Sequence, residues 1–111
     1  MNRAFLTGRI ESLKEISVDV VSIQLVTSHK WVDKLSGEKK EEKEQHTVIF
    51  FNKMAHIIKK YSRIGMIILV EGYIKTGKET KRSDGVVYIN KEIHAKSIEF
   101  MEPVRVDGNI K

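Results

Sequence analysis

The chain has 111 residues, enough for one domain and not comfortably for two, and its 41% hydrophobic and 32% charged content argues against disorder. It contains no cysteine, which excludes disulfides and thiolate-held metals. The formal net charge is +5, and the whole excess lies between Lys53 and Asp84, where eight basic residues face Glu71, Glu79 and Asp84. Such a stripe is either an ordinary solvated surface or a track that neutralises phosphates.

In chain order, Arg3 to Ile10 reads as a short strand, with Gly8 as a bulge or sharp bend. Ile16 to Thr27 is a second strand, rich in β-branched residues, in which Val21, Ile23 and Leu25 alternate with Ser22 and Gln24. Ser28 to Glu44 holds almost no apolar anchors and a Ser36-Gly37 turn signal. An exposed hairpin or loop fits it better than a short helix built on its alternating charges. His46 to Phe51 is a third strand, and Asn52 is placed to cap a helix. Met54, Ile57, Ile58 and Tyr61 fall at i, i+3, i+4 and i+7, one face of that helix, which Gly65 closes. Met66 to Lys75 is a fourth strand. The turn-rich stretch Gly77 to Gly85 leads to one long or two short strands over Val86 to Phe100. The segment from Glu102 to Lys111 has little to pack and is expected to fray, so residues 1–101 form the domain and 102–111 a short tail. The predicted class is all-β. A lone helix between the third and fourth of five strands is the order of an OB barrel.

Gly72 to Lys78 has the spacing of a phosphate-binding loop, but Glu79 stands where Ser or Thr would hold a metal ion, and Tyr73 and Ile74 continue a strand. His29, His46, His56 and His94 make no ligand pattern, and no nucleophile motif is present, so neither a metal, a cofactor nor an active site is expected. The longest apolar run, Met66 to Val70, is far short of a membrane span, and the N-terminus has no leader pattern. Cytoplasmic residence is the expectation. Among the aromatics, Trp31 sits between lysines in a polar stretch. It either stacks a base or packs against the end of the barrel. Phe50 and Phe51 are neighbours on a strand, so one faces in and the other out. Tyr73 and Tyr88 flank the basic hairpin of Lys75, Lys78, Lys81 and Arg82. They lie along a DNA path or form ordinary cross-strand pairs.

Trp31-Val32-Asp33-Lys34 with Ser36-Gly37-Glu38, followed by Gln45-His46 and a strand ending Phe51-Asn52-Lys53, resembles the bacterial single-stranded DNA-binding protein family. That family carries Trp-Arg-Asp-Lys with Gly-Glu, then Trp-His and a strand ending Phe-Gly-Lys. Tyr61-Ser62-Arg63 with Gly65, Val70-Glu71-Gly72 with Lys75-Thr76, and the opening Asn2-Arg3 with Phe5-Leu6 and Gly8 are similar to its other motifs, in the same order, over residues 1 to about 101.

The resemblance implies an OB fold, a homotetramer, and DNA wrapped over the surface. It makes Trp31 and Phe51 stacking residues, sets Lys34, Lys53, Arg63, Lys75 and Lys78 against phosphate, and puts His46 at a subunit interface. Lys81, Arg82 and Tyr88 from the basic hairpin, and Arg3 from the opening motif, complete the candidate DNA-binding set. Two further stacking tryptophans of the family are Gln45 and Glu79 here, and Gly77 stands where the family often has Arg. Each lost stack removes about 1–3 kcal/mol. The family's glycine-rich linker and acidic C-terminal tip have no counterpart before Lys111, so recruitment of replication proteins through such a tip is not expected of these residues. The expected function is sequence-tolerant binding and protection of single-stranded DNA in replication, recombination or repair. The alternatives are a primosome-type or mobile-element barrel with a mainly protein-binding role, and an RNA-binding OB domain.

Overall fold

The computed structural model describes residues 1–102 apart from 82, 84 and 86, and their side chains apart from those of 78–81 and 88–89. Five strands and one helix follow in the order β1 (Ala4–Ser17), β2 (Val20–Val32), β3 (Lys39–Phe51), α1 (Lys53–Tyr61), β4 (Ile67–Lys81) and β5 (Val87–Phe100). The strands close into a barrel in the order β1-β2-β3-β5-β4, with β4 returning to β1. All pairs are antiparallel except β3 with β5, which run parallel through Val48–Ile93 and Ile49–His94. The predicted OB order is therefore the one observed.

The alternation of β2 delivers Val21, Ile23 and Leu25 to the interior. There they meet Ile10, Val48, Phe50, Ile68, Val70, Ile93 and Ala95, while Ala55 and Ile58 of α1 and the adjoining Met66 complete the core. Burial of this kind is the main stabilising term in a domain of this size. The helix is set off from β3 by Asn52, whose positive φ of 54° with ψ of −120° is a conformation that side chains rarely adopt. Asn52 begins the helix, but no side-chain cap bond forms. Its backbone N–H instead donates to the Asp19 carbonyl at 2.8 Å, so its conformation serves the junction with the β1–β2 turn.

Several boundaries differ from the sequence reading, among them the start of β3 at Lys39 rather than His46 and the end of β4 at Lys81 rather than Lys75. The first strand runs seven residues past Ile10, and Ile16 and Ser17 belong to it rather than to β2. The chain turns at Val18-Asp19, because this turn is fastened to α1. His56 Nε2 lies 2.9 Å from Asp19 Oδ1, and Lys59 Nζ donates to the Val18 carbonyl at 2.8 Å. Gly8 is no bulge, since its pairing with Ile68 is regular and the two β1–β2 irregularities fall later, between Ile10 and Ser12 and between Glu15 and Ser17. The glycine is needed because β1 changes partner at Arg9, where β2 crosses close. A Cβ on Gly8 would sit 2.5 Å from the Val26 carbonyl oxygen. Gly65, with φ of 93°, lies beyond the helix C-cap, Ser62, and shapes the link back to β1. Its N–H donates to the Ile10 carbonyl at 2.8 Å.

Beyond Val26, β2 and β3 leave the barrel together as a long two-stranded arm, paired without a break to Val32 and Lys39. The stretch 28–44, expected as an exposed hairpin or loop, is this arm, with no helix in it. β4 continues through Gly72–Lys78 as an unbroken strand, so the phosphate-loop spacing there forms no loop. Pro103 to Lys111, the tail expected to fray, lies outside the described residues.

Candidate nucleic-acid interface

Two aromatic patches stand on the surface. The first crosses the seam where the barrel closes. Phe50 is fully buried and Phe51 is 37% exposed, so the strand's alternation divides the pair as expected. The Phe51 ring lies 5.1 Å from that of His94 on β5, and His94 lies 5.6 Å from Tyr73 on β4, both at tilted angles. The cross-strand partner of Tyr73 is His94, whose Nε2 lies 2.9 Å from Glu92 Oε1. Three rings therefore form a row across β3, β5 and β4. Lys53 opens the helix two residues after Phe51, and Lys75 follows Tyr73 on the same face of β4; both are exposed. Exposed rings with lysines nearby are what a strand of stacked bases and phosphates requires, and here Phe51 and Tyr73 flank a His94 side chain that is only 14% exposed.

The second patch lies on the arm. Trp31 is 41% exposed and does not pack against the barrel end. Its indole stacks on the imidazole of His29, centroids 5.3 Å apart and planes 22° apart. An open groove of about 460 Å³ beside it is lined by Lys30, Trp31, Val32, Lys39, Lys40 and Glu41. The turn that ends the arm is built on Asp33. One carboxylate oxygen accepts from Leu35 N–H at 3.0 Å and the other from the Ser36 hydroxyl at 3.0 Å, while Gly37 takes a φ of 73°. That turn holds Lys34 out in solvent. The unbroken β2–β3 register sets Trp31 on the arm face that continues from Leu25, and Phe51 on the opposite face of β3. Within one chain the two stacking candidates do not form a single platform.

The basic stripe is less uniform than its sequence suggests. Lys59 faces Glu15 at 3.6 Å and fastens the β1–β2 turn, and Lys60 lies over the Tyr61 ring at 5.3 Å. Arg63 sits 3.6 Å from Glu102, and Arg3 sits 3.1 Å from Glu71. Either arginine must exchange a carboxylate for a phosphate if it is to touch nucleic acid. Among the described residues, Lys34, Lys53 and Lys75 carry no ion pair within 4.0 Å. On the arm, Glu41 is held below the usual carboxylate range, first by the Ser28 hydroxyl and then by Lys43 and Lys30. It pairs with Lys30 at 3.8 Å. The side chains of Lys78, Lys81 and Tyr88, and Arg82 altogether, lie outside the described residues.

His46 is half-buried at the root of the arm, with Nε2 2.9 Å from the Thr27 hydroxyl. His94 is not among the candidate site residues that the sequence offers. No local signal marks it, because its neighbours in the row are 43 and 21 positions away. Among the described residues, no three His, Cys, Asp or Glu side chains converge as metal ligands would. No described helix is long and apolar enough to cross a membrane.

Residues 1–101 match the model of the Single-strand binding protein family. Among solved structures, a Plasmodium falciparum SSB in complex with ssDNA superposes with a TM-score of 0.76 at 22% identity, covering 92% of this chain and 96% of the other. A small single-stranded DNA-binding protein from Streptomyces coelicolor superposes at 0.68 with 16% identity, covering 88% and 92%. A mitochondrial single-stranded DNA-binding protein from S. cerevisiae gives 0.66 at 16% identity, covering 90% and 94%. These likenesses are to the fold.

Proposed function

The chain belongs to the single-strand binding protein family, and from that premise we propose that it binds single-stranded DNA with little regard to sequence, by stacking bases and neutralising phosphates. The observation that carries the reading is the row of Phe51, His94 and Tyr73 on the outer wall of the barrel, with exposed Lys53 and Lys75 two residues beyond its outer members in the chain. Every base has a π-face, so such a row accepts any sequence. Trp31 supplies a second contact on the arm. The strand crosses from one patch to the other around the barrel, which keeps bases unpaired and shields them during replication, recombination or repair. Binding, with no chemistry, is the whole task, and the cytoplasmic nucleoid is its place.

Trp31 is the chain's one tryptophan, so its fluorescence reports on the arm alone. Titration with oligo(dT) is expected to quench it. Affinity should fall with salt at a slope near −0.7 per phosphate neutralised. Trp31→Ala should weaken binding by about 1–3 kcal/mol at any sequence. Absence of binding at low salt would instead favour the protein-binding reading, and equal competition by an RNA oligomer would remove the preference for DNA.

We also propose that the protein acts as a homotetramer. Among the described residues, Ala4–Gly8 pair with β4 on one side and with no strand on the other, and Phe5 and Ile67 are exposed nearby. An open edge beside apolar side chains suits pairing with a second copy. His46 belongs to the proposed interface. Phe5→Lys is expected to lower the mass seen by sedimentation, while an unchanged mass would remove this edge from the assembly.

A further inference from the structure

Trp31 stands on an arm that shares no core with the barrel, yet its ring is not loose. The group that touches it is His29, two residues earlier on β2 and on the same face of the strand. The β3 pairing places Glu42 opposite His29 and Lys40 opposite Trp31, with Glu44 opposite Thr27 one step nearer the barrel. None of these side chains is aromatic, so His29 is the flat partner available to the indole on that face. The two rings are stacked with centroids 5.3 Å apart.

We propose that His29 is a positioning residue for base stacking at Trp31. Its imidazole covers one face of the indole and holds the other outward, so DNA meets a one-sided platform that is ordered before binding. The inference rests on the single-stranded DNA reading above and deepens it. A large exposed side chain that must be fixed on binding costs affinity, and a stack already made in the free protein removes that cost. The covered face also limits Trp31 to one base, added to the end of a two-ring stack rather than inserted between rings.

The test compares His29→Ala and His29→Phe with the unmodified protein, using Trp31 anisotropy without DNA and oligo(dT) affinity at low salt. His29→Ala should lower the anisotropy of free Trp31 and raise Kd about fivefold, the equivalent of about 1 kcal/mol for one side chain ordered on binding. His29→Phe keeps a flat ring and should restore both. Unchanged anisotropy in His29→Ala would overturn the proposal. So would a fall in anisotropy with no change in Kd, because the stack would then be idle in binding. Both side chains are exposed, so neither variant threatens the fold. If the unmodified protein binds no oligo(dT), the DNA reading fails and takes this proposal with it. Failure at His29 alone leaves oligo(dT) binding intact, so the two failures are told apart.

Discussion

Phe51→Ala is expected to weaken oligo(dT) binding by roughly 5- to 150-fold, about 1–3 kcal/mol, and to leave the melting temperature nearly unchanged. Phe50→Ala, one residue earlier, should do the reverse. Phe50 is fully buried among the core residues, whereas Phe51 is 37% exposed and touches His94 outside the barrel. Emptying the Phe50 site costs about 3–5 kcal/mol, from lost transfer energy and the cavity left behind. Against a total stability on the order of 5–15 kcal/mol, that is a large share. At roughly 4–8 °C per kcal/mol for a domain of this size, the midpoint should drop by more than about 12 °C. Thermal melts and fluorescence titrations of the two variants check both halves. If Phe51→Ala binds as well as the unmodified protein, the ring row is not a stacking platform.

Gly72→Ala is expected to damage stability and binding together. A Cβ at Gly72 would run into the His94 carbonyl oxygen and lie 3.0 Å from the Ile93 Cγ2. Both obstacles belong to β5. The oxygen is backbone and cannot swing aside, so the β4–β5 pairing must open. Overpacking of this kind costs about 1–3 kcal/mol. The irregularity between Glu71 and Gly72 sits directly before Tyr73, and Tyr73 pairs with His94. Opening the pair therefore spreads two of the three rings. Gly37→Ala is the control, since a Cβ there meets nothing within 4 Å and only the φ of 73° is strained. It should disturb the arm's turn and spare the barrel. A Gly72→Ala protein that melts and binds like the parent would mean that β4 and β5 have room at this point.

Together these variants separate what holds the barrel closed from what the barrel displays. The closure is also what creates the display. Parallel pairing of β3 with β5 brings His94 beside Phe51, and antiparallel pairing of β4 with β5 brings it beside Tyr73. A residue with no motif around it thus becomes the middle of the row.

The sequence by itself determined the all-β class, the order of the strands around one helix, the inward set on β2, the split between Phe50 and Phe51, and the exposed, non-helical character of the stretch after Ser28. Each of these depends on a period of 2.0 or 3.6 residues, or on a turn residue, and such signals act over a few positions. The tertiary structure decided the rest. It decided that β1 extends to Ser17, because α1 fastens the Val18-Asp19 turn from 37 and 41 residues away. It decided that Gly8 answers a crossing strand rather than a bulge. It turned Lys59 from the basic stripe toward Glu15, and gave Arg3 and Arg63 carboxylate partners. It also set Trp31 and Phe51 on opposite faces of β2 and β3. The physical reason is common to all of these: they are set by which distant strands come within hydrogen-bonding range once the barrel closes, and no local period encodes that.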